Sequence, residues 1–231
     1  MRRFMDWLGR KVIPLLFRVE IVDLENLPVS GPVILLVNHI NFTDVSILSV
    51  LLPRQPVGMA KRELMWHPVL GPIVRTMGVI PVRRGEADRE ALRLSQKLLV
   101  EGKHVLMIAP EGHRSGHGRL QPAHDGIAFI AARAGATIVP VATTGVERFW
   151  RSVLRLGRTP VRVAVGRGFR FRSRGGKINR DSLKMMTQEA MYQLALLLPP
   201  EYRGTYSEVE RSTTDYLDFG AEGGDAEVDP I

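Results

Sequence analysis

The chain has 231 residues, of which 45% are hydrophobic and 24% are charged, and its formal net charge is +8. These are globular proportions, and the length fits one domain with small attachments. The sequence contains no cysteine, which excludes disulfides and thiolate metal sites and favours a reducing compartment. No apolar run reaches the roughly 18 residues of a transmembrane helix, so we expect no conventional span.

The charge is unevenly distributed along the chain. Residues 207–231 hold eight acids and one base, which leaves residues 1–206 with 31 bases, 16 acids and a formal charge of +15. A basic body favours anionic partners, namely nucleic acid, an anionic bilayer or phosphorylated ligands. The acidic end of the chain contains glycines and few large apolar residues, so we predict that residues 201–231 form a disordered tail.

The elements begin with an amphipathic segment, residues 1–20. Five apolar residues fall near one helical face: Phe4, Met5, Leu8, Val12 and Leu15. Pro14 is expected to kink or end this helix. The apolar face fits a helix that lies in a membrane interface, and it fits a helix packed on the protein core as well.

Beyond residue 20, apolar runs typical of buried strands alternate with segments of helical periodicity. The predicted strands are 33–37, 57–60, 79–82, 104–109, 137–142 and 161–165. The predicted helices are 44–52, 68–77, 86–101, 126–133 and 181–198. This alternation predicts an α/β domain over residues 21–200, with a largely parallel central sheet flanked by helices.

Polar clusters follow three of these strands, at residues 38–44, 83–84 and 110–115. In parallel sheets, active groups gather in the loops at the carboxyl ends of strands. The first cluster contains His39 and, five residues later, Asp44. An aspartate at the start of a helix can reach back to one imidazole nitrogen, so that the other nitrogen takes a proton from a hydroxyl. Taken alone, the spacing is common and favours a plainer interpretation, in which Asp44 only caps the helix.

Four sequence blocks occur in order, at residues 38–44, 78–84, 110–115 and 138–141. They read Asn-His-Ile-Asn-Phe-Thr-Asp, Gly-Val-Ile-Pro-Val-Arg-Arg, Pro-Glu-Gly-His-Arg-Ser and Ile-Val-Pro-Val. This ordered set resembles the glycerolphosphate acyltransferase family, and within it the bacterial 1-acyl-glycerol-3-phosphate acyltransferases. One block would carry little weight, whereas four in order with family-like gaps are specific.

The resemblance implies that a lysophospholipid hydroxyl attacks an acyl thioester, with acyl-CoA or acyl carrier protein as the donor. It implies that His39 is the general base and that Asp44 orients it. The positions it implies for the acceptor site are Lys61, Arg83, Arg84, Glu111, Gly112 and Arg114. Glu111 would shape its loop by pairing with an arginine. No cofactor or metal is implied, and the protein would act as a peripheral or monotopic protein on the cytoplasmic face of the cell membrane.

Three positions depart from the family's usual pattern. His113 stands where threonine is usual, Arg83 stands where aspartate is frequent, and residues 125–126 are Asp-Gly where Lys-Gly is typical. Because these positions surround the acceptor site, they leave open another lysophospholipid, or another hydroxyl or amine, as the acceptor. A third hypothesis is a non-catalytic protein that binds anionic lipid or nucleic acid, which would have no need of a positioned base.

Residues 148–174 carry nine arginines, interleaved at first with aromatic and aliphatic residues. This composition suits an anionic bilayer surface. Nucleic acid would use the same charges, but no recognised binding motif is present, so we expect no nucleic-acid partner. A solvated basic face is the plainest alternative. Three nearby histidines, His113, His117 and His124, lack the cysteines or carboxylates of a metal site, and we predict none.

Overall fold

The computed structural model describes residues 2–68, 70–83, 88–102, 104–172 and 179–220. Its strands are β1 (Phe17–Val22), β2 (Val33–Val37), β3 (Pro56–Lys61), β4 (Ile80–Val82), β5 (Val105–Ile108), β6 (Thr137–Thr144), β7 (Thr159–Val165), β8 (Arg170–Phe171) and β9 (Leu217–Asp218). The first seven form one sheet in the order β1-β7-β6-β2-β5-β3-β4. Its neighbouring strands are parallel, with the exception of the antiparallel pair β6 and β7.

Helices flank this sheet. They are α1 (Arg2–Leu16), α2 (Phe42–Leu51), α3 (Leu70–Met77), α4 (Arg89–Glu101), α5 (Gly126–Ala134), α6 (Phe149–Leu154) and α7 (Arg180–Leu196). The predicted fold class, a largely parallel sheet flanked by helices with a helix at the N-terminus, is confirmed.

The two strands at the centre of the sheet explain why the prediction worked. All residues of β2, Val-Ile-Leu-Leu-Val, and of β5, Val-Leu-Met-Ile, are buried. A strand covered by helices on both faces has no solvated side, so it appears in the sequence as an unbroken apolar run. The helix boundaries follow from local chemistry as well. For example, Asp88 caps the start of α4, and Gly102 ends it with a φ of 65°.

Four of these strands and helices were not predicted from the sequence: β1, α6 and the two-residue strands β8 and β9. β1 is an edge strand whose residues Phe-Arg-Val-Glu-Ile-Val alternate between apolar and charged, and it pairs with β7. α6 is a helix of six residues in the arginine-rich segment. β1 and α6 are short and carry charges, and β8 and β9 have two residues each. None of them shows the long apolar pattern that identifies the other elements in the sequence.

Helix α1 continues past Pro14 to Leu16, so of the two outcomes expected at this proline, a kink or an end, the helix does not end there. Proline removes one amide from the helix ladder, which leaves the carbonyl of Arg10 without its usual donor. Arg10 is exposed, so water can reach this turn of the helix and donate to that carbonyl.

Four of the five apolar residues predicted on one face of α1 are exposed: Phe4, Leu8, Val12 and Leu15. The helix packs on α2 through another side, where Gly9 approaches Val50 and Ile13 is buried. The apolar face therefore does not pack on the core. In the part of the chain that the structure describes, no helix is both long and apolar enough to cross a membrane.

The predicted disorder of residues 201–231 is wrong for residues 201–220. Tyr202, Tyr206 and Leu217 are buried in the core. The buried carboxylate of Glu189 on α7 accepts hydrogen bonds from the amides of Asp215 and Tyr216 and from Thr213. The prediction rested on the acidic charge of the segment, but three of its aromatic and aliphatic residues are buried and others, such as Val209 and Phe219, pack partly buried against the core. Residues 221–231 lie outside the described part of the chain.

Candidate active site

The candidate site lies along one edge of the sheet. Strands β2, β5, β3 and β4 are parallel neighbours in this order, so their carboxyl ends meet at the same edge. His39 follows β2, residues 110–114 follow β5, Lys61 ends β3 and Arg83 follows β4. Neighbouring strands lie about 4.8 Å apart, so these groups occupy an edge about 14 Å long. These residues are far apart in the sequence, but the fold places them along the same edge of the sheet.

His39 and Asp44 are in contact at this edge. Nδ1 of His39 lies 3.1 Å from Oδ1 of Asp44. The aspartate side chain is buried, with 1% of its surface exposed, and the imidazole retains 16%. An ionised carboxylate holds the proton on Nδ1, so Nε2 carries the lone pair that can accept a proton from a substrate. The predicted pairing of these residues is thus present in the structure.

The second oxygen of Asp44 fixes the carboxylate in place. Oδ2 accepts hydrogen bonds from the backbone amides of Ile40, at 2.7 Å, and Asn41, at 2.9 Å. Helix α2 begins at Phe42 with Asn41 as its cap, so Asp44 lies in the first turn instead of at the cap itself. Asp44 closes a capping box and also contacts the imidazole. Asp44 therefore helps to cap the helix, as in the plainer interpretation, and contacts His39 in addition.

Two asparagines on either side of His39 were not among the predicted site residues. The side chain of Asn38 donates to the carbonyl of Thr143 and accepts from its amide, both at 2.8 Å. Asn41 donates to the carbonyl of Val146. These contacts attach the histidine loop to the end of β6. The sequence shows the two asparagines beside His39. It does not show that they bond to residues 105 positions further along the chain.

Glu111 is buried, and its carboxylate binds backbone amides of the loops around the site. Its Oε1 accepts from the backbone amide of His39 at 3.1 Å, and its Oε2 accepts from the amide of Gln121 at 3.0 Å. No arginine pairs with Glu111 among the residues that the structure describes, contrary to the expected ion pair. Burial raises the pKa of Glu111 above its ordinary value, although the two amide hydrogen bonds act in the opposite direction. The contacts assign Glu111 a positioning role.

We expect Glu111→Gln to destabilise the protein most at acidic pH. The amide keeps one acceptor oxygen but turns an NH2 group toward the second backbone N–H, at a cost of about 1–3 kcal/mol. A raised pKa means that the folded protein holds the Glu111 proton more tightly than the unfolded chain does. The carboxyl therefore contributes stability below its ordinary pKa, and that contribution is lost as pH rises through the raised value.

Urea unfolding of both proteins between about pH 4 and pH 7 measures this difference. The difference in the free energy of unfolding between the parental protein and Glu111→Gln should decrease as pH rises. Other carboxyl groups titrate alike in the two proteins, so they do not contribute to this change. A gap that widens with pH would contradict the assigned direction of the pKa shift.

Gly112 and its neighbours hold the third sequence block against the histidine loop. Gly112 has a φ of 72°, and a Cβ there would lie 3.1 Å from the ring of His124, so both the backbone conformation and the available space favour glycine. The amide of Ser115 donates to the carbonyl of His39 at 2.8 Å, and that of Gly116 donates to the carbonyl of Ile40 at 3.1 Å. Arg114 is thereby carried beside the His39 loop with its side chain exposed.

The other predicted basic positions lie further along the edge. Lys61 and Arg83 are exposed, and Lys61 pairs in register with Val82, directly before Arg83. The amide of Arg83 donates to Asp88 at 2.8 Å, and this bond is the main reason that the pKa of Asp88 is lowered. Arg84, also predicted, lies outside the described residues.

The histidines of this loop contact a glutamine. Nε2 of His113 lies 2.9 Å from Oε1 of Gln121, and Nε2 of His117 lies 3.2 Å from the side-chain nitrogen of Gln121. Both histidines are exposed. His113, at the position where threonine is usual in the family, is therefore an exposed imidazole directly before Arg114 in the chain.

Comparisons with known proteins show which family the chain belongs to. A family model described as Acyltransferase matches residues 18–144. The chain is 32% identical over 129 residues to a 1-acyl-sn-glycerol-3-phosphate acyltransferase from Limnanthes alba, covering 54% of this chain and 46% of that protein. It is 32% identical over 152 residues to 1-acyl-sn-glycerol-3-phosphate acyltransferase alpha from Bos taurus, covering 63% and 53%. The matched segment thus spans about half the length of these relatives.

A solved structure shares the fold. The crystal structure of the 1-acyl-sn-glycerophosphate acyltransferase from Thermotoga maritima matches with a TM-score of 0.61 and 22% identity, over 81% of this chain and 75% of that one. The family match covers more than half of the chain and includes all four sequence blocks in full. The chain therefore belongs to the acyltransferase family, as the order of its blocks predicts.

Proposed function

We propose that this protein transfers a fatty acyl group from a thioester donor, acyl-CoA or acyl carrier protein, to the free hydroxyl of 1-acyl-sn-glycerol 3-phosphate, giving phosphatidic acid. The observation that carries the proposal is the contact between His39 Nδ1 and the buried carboxylate of Asp44. The relatives from Limnanthes alba and Bos taurus, which are 1-acyl-sn-glycerol-3-phosphate acyltransferases, support the choice of acceptor.

The mechanism follows from the atoms of the pair. Nε2 of His39 accepts the proton of the acceptor hydroxyl as its oxygen attacks the thioester carbonyl carbon. The tetrahedral intermediate collapses, the carbon–sulfur bond breaks, and the departing thiolate takes the proton from the imidazolium. Asp44 stabilises the imidazolium while it exists and keeps the ring in the productive tautomer. The transfer is direct, in agreement with a chain that has no cysteine nucleophile.

The acceptor phosphate would be bound by the basic side chains further along the same edge. Arg114 is nearest in the strand order, followed by Lys61 and then Arg83. Arg84, from the same sequence block as Arg83, is proposed for the same role. Arginine offers two parallel donors to a phosphate, and lysine offers a point charge. A phosphate held at this end would leave the glycerol hydroxyl within reach of His39.

We expect Arg114→Ala to raise the KM for the phosphorylated acceptor by about tenfold or more, because a charge-assisted bond to phosphate is lost. The kcat should change little, since the base is untouched. Initial rates at varied acceptor concentration, with the donor saturating, measure both constants. Arg93→Ala is the matched control, because Arg93 is an exposed arginine on α4. An unchanged acceptor KM in the Arg114 variant would remove Arg114 from the phosphate site.

Another acceptor is the alternative, and His113 and Arg83 motivate it. The decisive experiment offers purified protein a panel of lysophospholipids, monoacylglycerol and a long-chain amine, with the His39→Ala protein as the blank. Fastest turnover of lysophosphatidic acid supports the proposal, and fastest turnover of another acceptor replaces it. Salt-sensitive binding of lipid or nucleic acid without any turnover would favour the non-catalytic hypothesis.

We also propose that residues 1–20 associate with the membrane on its cytoplasmic face, as a peripheral or monotopic segment. The exposed apolar residues of α1 are interspersed with the bases Arg3, Arg10 and Lys11, an arrangement that suits the interface of an anionic bilayer. This segment would bring the enzyme to its lipid acceptor.

A further inference from the structure

A second exposed surface lies on the connection between β6 and β7. We call residues 145–158, which contain α6, the α6 tip. β6 is parallel to β2, and β7 returns antiparallel beside β6, so the α6 tip stands at the same edge of the sheet as the loop of His39. The proposed function assigns no role to it.

Aromatic contacts connect the α6 tip to the candidate active site. The ring of Phe149 lies 6.2 Å from that of Phe42, 5.2 Å from that of Phe17 and 5.0 Å from that of Trp150. Phe42 opens helix α2, three residues after His39, and Phe17 directly follows α1. The α6 tip is therefore continuous with the catalytic loop on one side and with α1 on the other.

The outer surface of the α6 tip is apolar and almost fully exposed. The exposed fractions are 65% for Trp150, 84% for Leu154 and 99% for Leu156. Trp150 and Leu154 are four residues apart and share one face of α6. Leu156 has a φ of 52°, a left-handed conformation that is unfavourable for a residue with a Cβ. The fold holds this leucine outward without burying it.

The turn that presents Leu156 is ordered by its backbone. The amide of Leu156 donates to the carbonyl of Val153 at 3.0 Å, and the amide of Gly157 donates to that of Ser152 at 2.9 Å. A turn that is already ordered loses little conformational entropy when its side chains insert into a partner. The exposed leucines are thus preorganised for contact with an apolar phase.

Arginines surround these apolar side chains. The α6 tip contains four exposed arginines and a single acid, Glu147, and the arginines are Arg148, Arg151, Arg155 and Arg158. Arg148 pairs with Glu147, and Arg158 donates to the carbonyl of Phe17. Arg151 and Arg155 are one helical turn apart, and two like charges at that spacing destabilise an isolated helix. An anionic surface would relieve this repulsion.

We infer that the α6 tip inserts Trp150, Leu154 and Leu156 into an anionic bilayer while its arginines contact lipid phosphates. A bilayer is favoured over an acidic protein partner because the most exposed side chains are large and apolar, as membrane-interface segments require. Together with α1, this second contact holds the edge that carries His39 against the lipid surface. The role of this contact in presenting His39 to lipid rests on the proposed function. The contact of the α6 tip with the bilayer does not.

Fluorescence of Trp150 tests the contact directly. The chain has three tryptophans, so the Trp7→Phe, Trp66→Phe protein reports on Trp150 alone. Vesicles of phosphatidylcholine with phosphatidylglycerol, and with bromine atoms on the acyl chains, are added to this protein. We expect a blue-shifted emission and strong quenching, and much weaker quenching with vesicles of phosphatidylcholine only. Unquenched emission from vesicle-bound protein would overturn the inference.

A variant with Trp150, Leu154 and Leu156 all changed to serine, in the otherwise parental chain, gives the second arm. Sedimentation with the same vesicles should show affinity lowered by about tenfold or more, since three apolar side chains no longer insert. The matched control changes Val29 and Val100 to serine, because both are exposed, lie away from the α6 tip and leave it intact. Equal loss in both variants would overturn the inference.

Turnover separates this inference from the proposed function. The serine variant should lose activity on acceptor held in anionic vesicles and retain activity on a short-chain, water-soluble acceptor. Loss of turnover confined to a donor on acyl carrier protein, with vesicle binding intact, would assign the α6 tip to an acidic protein and overturn the bilayer contact. If the parental protein shows no acyl transfer at all, the proposed function fails, while the quenching experiment still decides the membrane contact.

Discussion

Replacement of His39 by alanine is expected to lower kcat for acyl transfer by about 10²–10⁴-fold, the range in which a positioned general base contributes. Without the imidazole, no group at the end of β2 takes the proton from the attacking hydroxyl. Substrate binding depends on other residues, so the KM for donor and acceptor should change little. Steady-state rates with a thioester donor and lysophosphatidic acid measure the effect.

A second substitution shows whether the basic nitrogen or the side-chain volume matters. His39→Gln keeps an N–H that can donate to Asp44 but offers no basic nitrogen, so it should be as inactive as His39→Ala. The midpoint of thermal unfolding should stay close to that of the parent in both variants, because the imidazole is not part of the hydrophobic core. Full activity in either variant would refute the role of His39 as the base.

Replacement of Asp44 by asparagine is expected to lower kcat by a similar factor, about 10²–10⁴-fold, although the side chain keeps its size. The amides of Ile40 and Asn41 both donate to Oδ2 of Asp44, so the asparagine must place its oxygen there. Its NH2 group then faces Nδ1 of His39 and donates to it. That contact moves the imidazole proton to Nε2, where a lone pair is needed, and the histidine becomes unable to accept the substrate proton.

The Asp44→Asn protein must be compared with a loss of helix capping alone. Asn179→Ala removes the cap of α7, where the Asn179 side chain accepts from the amide of Ser182, and should cost about 1 kcal/mol of stability with unchanged turnover. The doubly substituted protein, with His39→Ala and Asp44→Asn, should be no slower than His39→Ala by itself, because the two residues act as one unit. Additive losses would show that Asp44 acts on the reaction independently of His39.

The predicted sheet and the predicted catalytic pair were both recognisable in the sequence, for related reasons. β2 and β5 are unbroken apolar runs because helices cover both faces of the central sheet. His39 and Asp44 lie within one loop and the first turn of one helix, so local structure alone can bring them together. Their spacing by itself favoured a simple helix cap, and the ordered set of blocks around them indicated the pair. Features that depend on a short stretch of chain can be inferred from that stretch.

The partners of Glu111, by contrast, could not be inferred from the sequence. Its loop was predicted to lie at the site, but the sequence suggested an arginine as its partner. In the fold, β5 is the neighbour of β2, and that adjacency brings the amide of His39 to within 3.1 Å of Oε1 of Glu111. Backbone amides carry no signature in the sequence, so a carboxylate that binds them cannot be recognised without the strand order.

The end of the chain illustrates a related limit. Its acidic composition predicted disorder, yet residues 201–220 pack on the domain through Tyr202, Tyr206 and Leu217. A few side chains decide this outcome when preformed surfaces are available to bury them, and an average over the segment hides them.

The sequence alone was sufficient for the alternation of strands and helices, for the family, and for His39 with Asp44, because each depends on local periodicity or on an ordered set of short blocks. The tertiary structure alone decided how the separate blocks meet. The strand order β6-β2-β5-β3-β4 brings Asn38 to Thr143 and lines up His39, Arg114, Lys61 and Arg83. It also places the α6 tip beside Phe42. Contacts between residues about 100 positions apart depend on which strands become neighbours, and that choice is made by packing of the whole core.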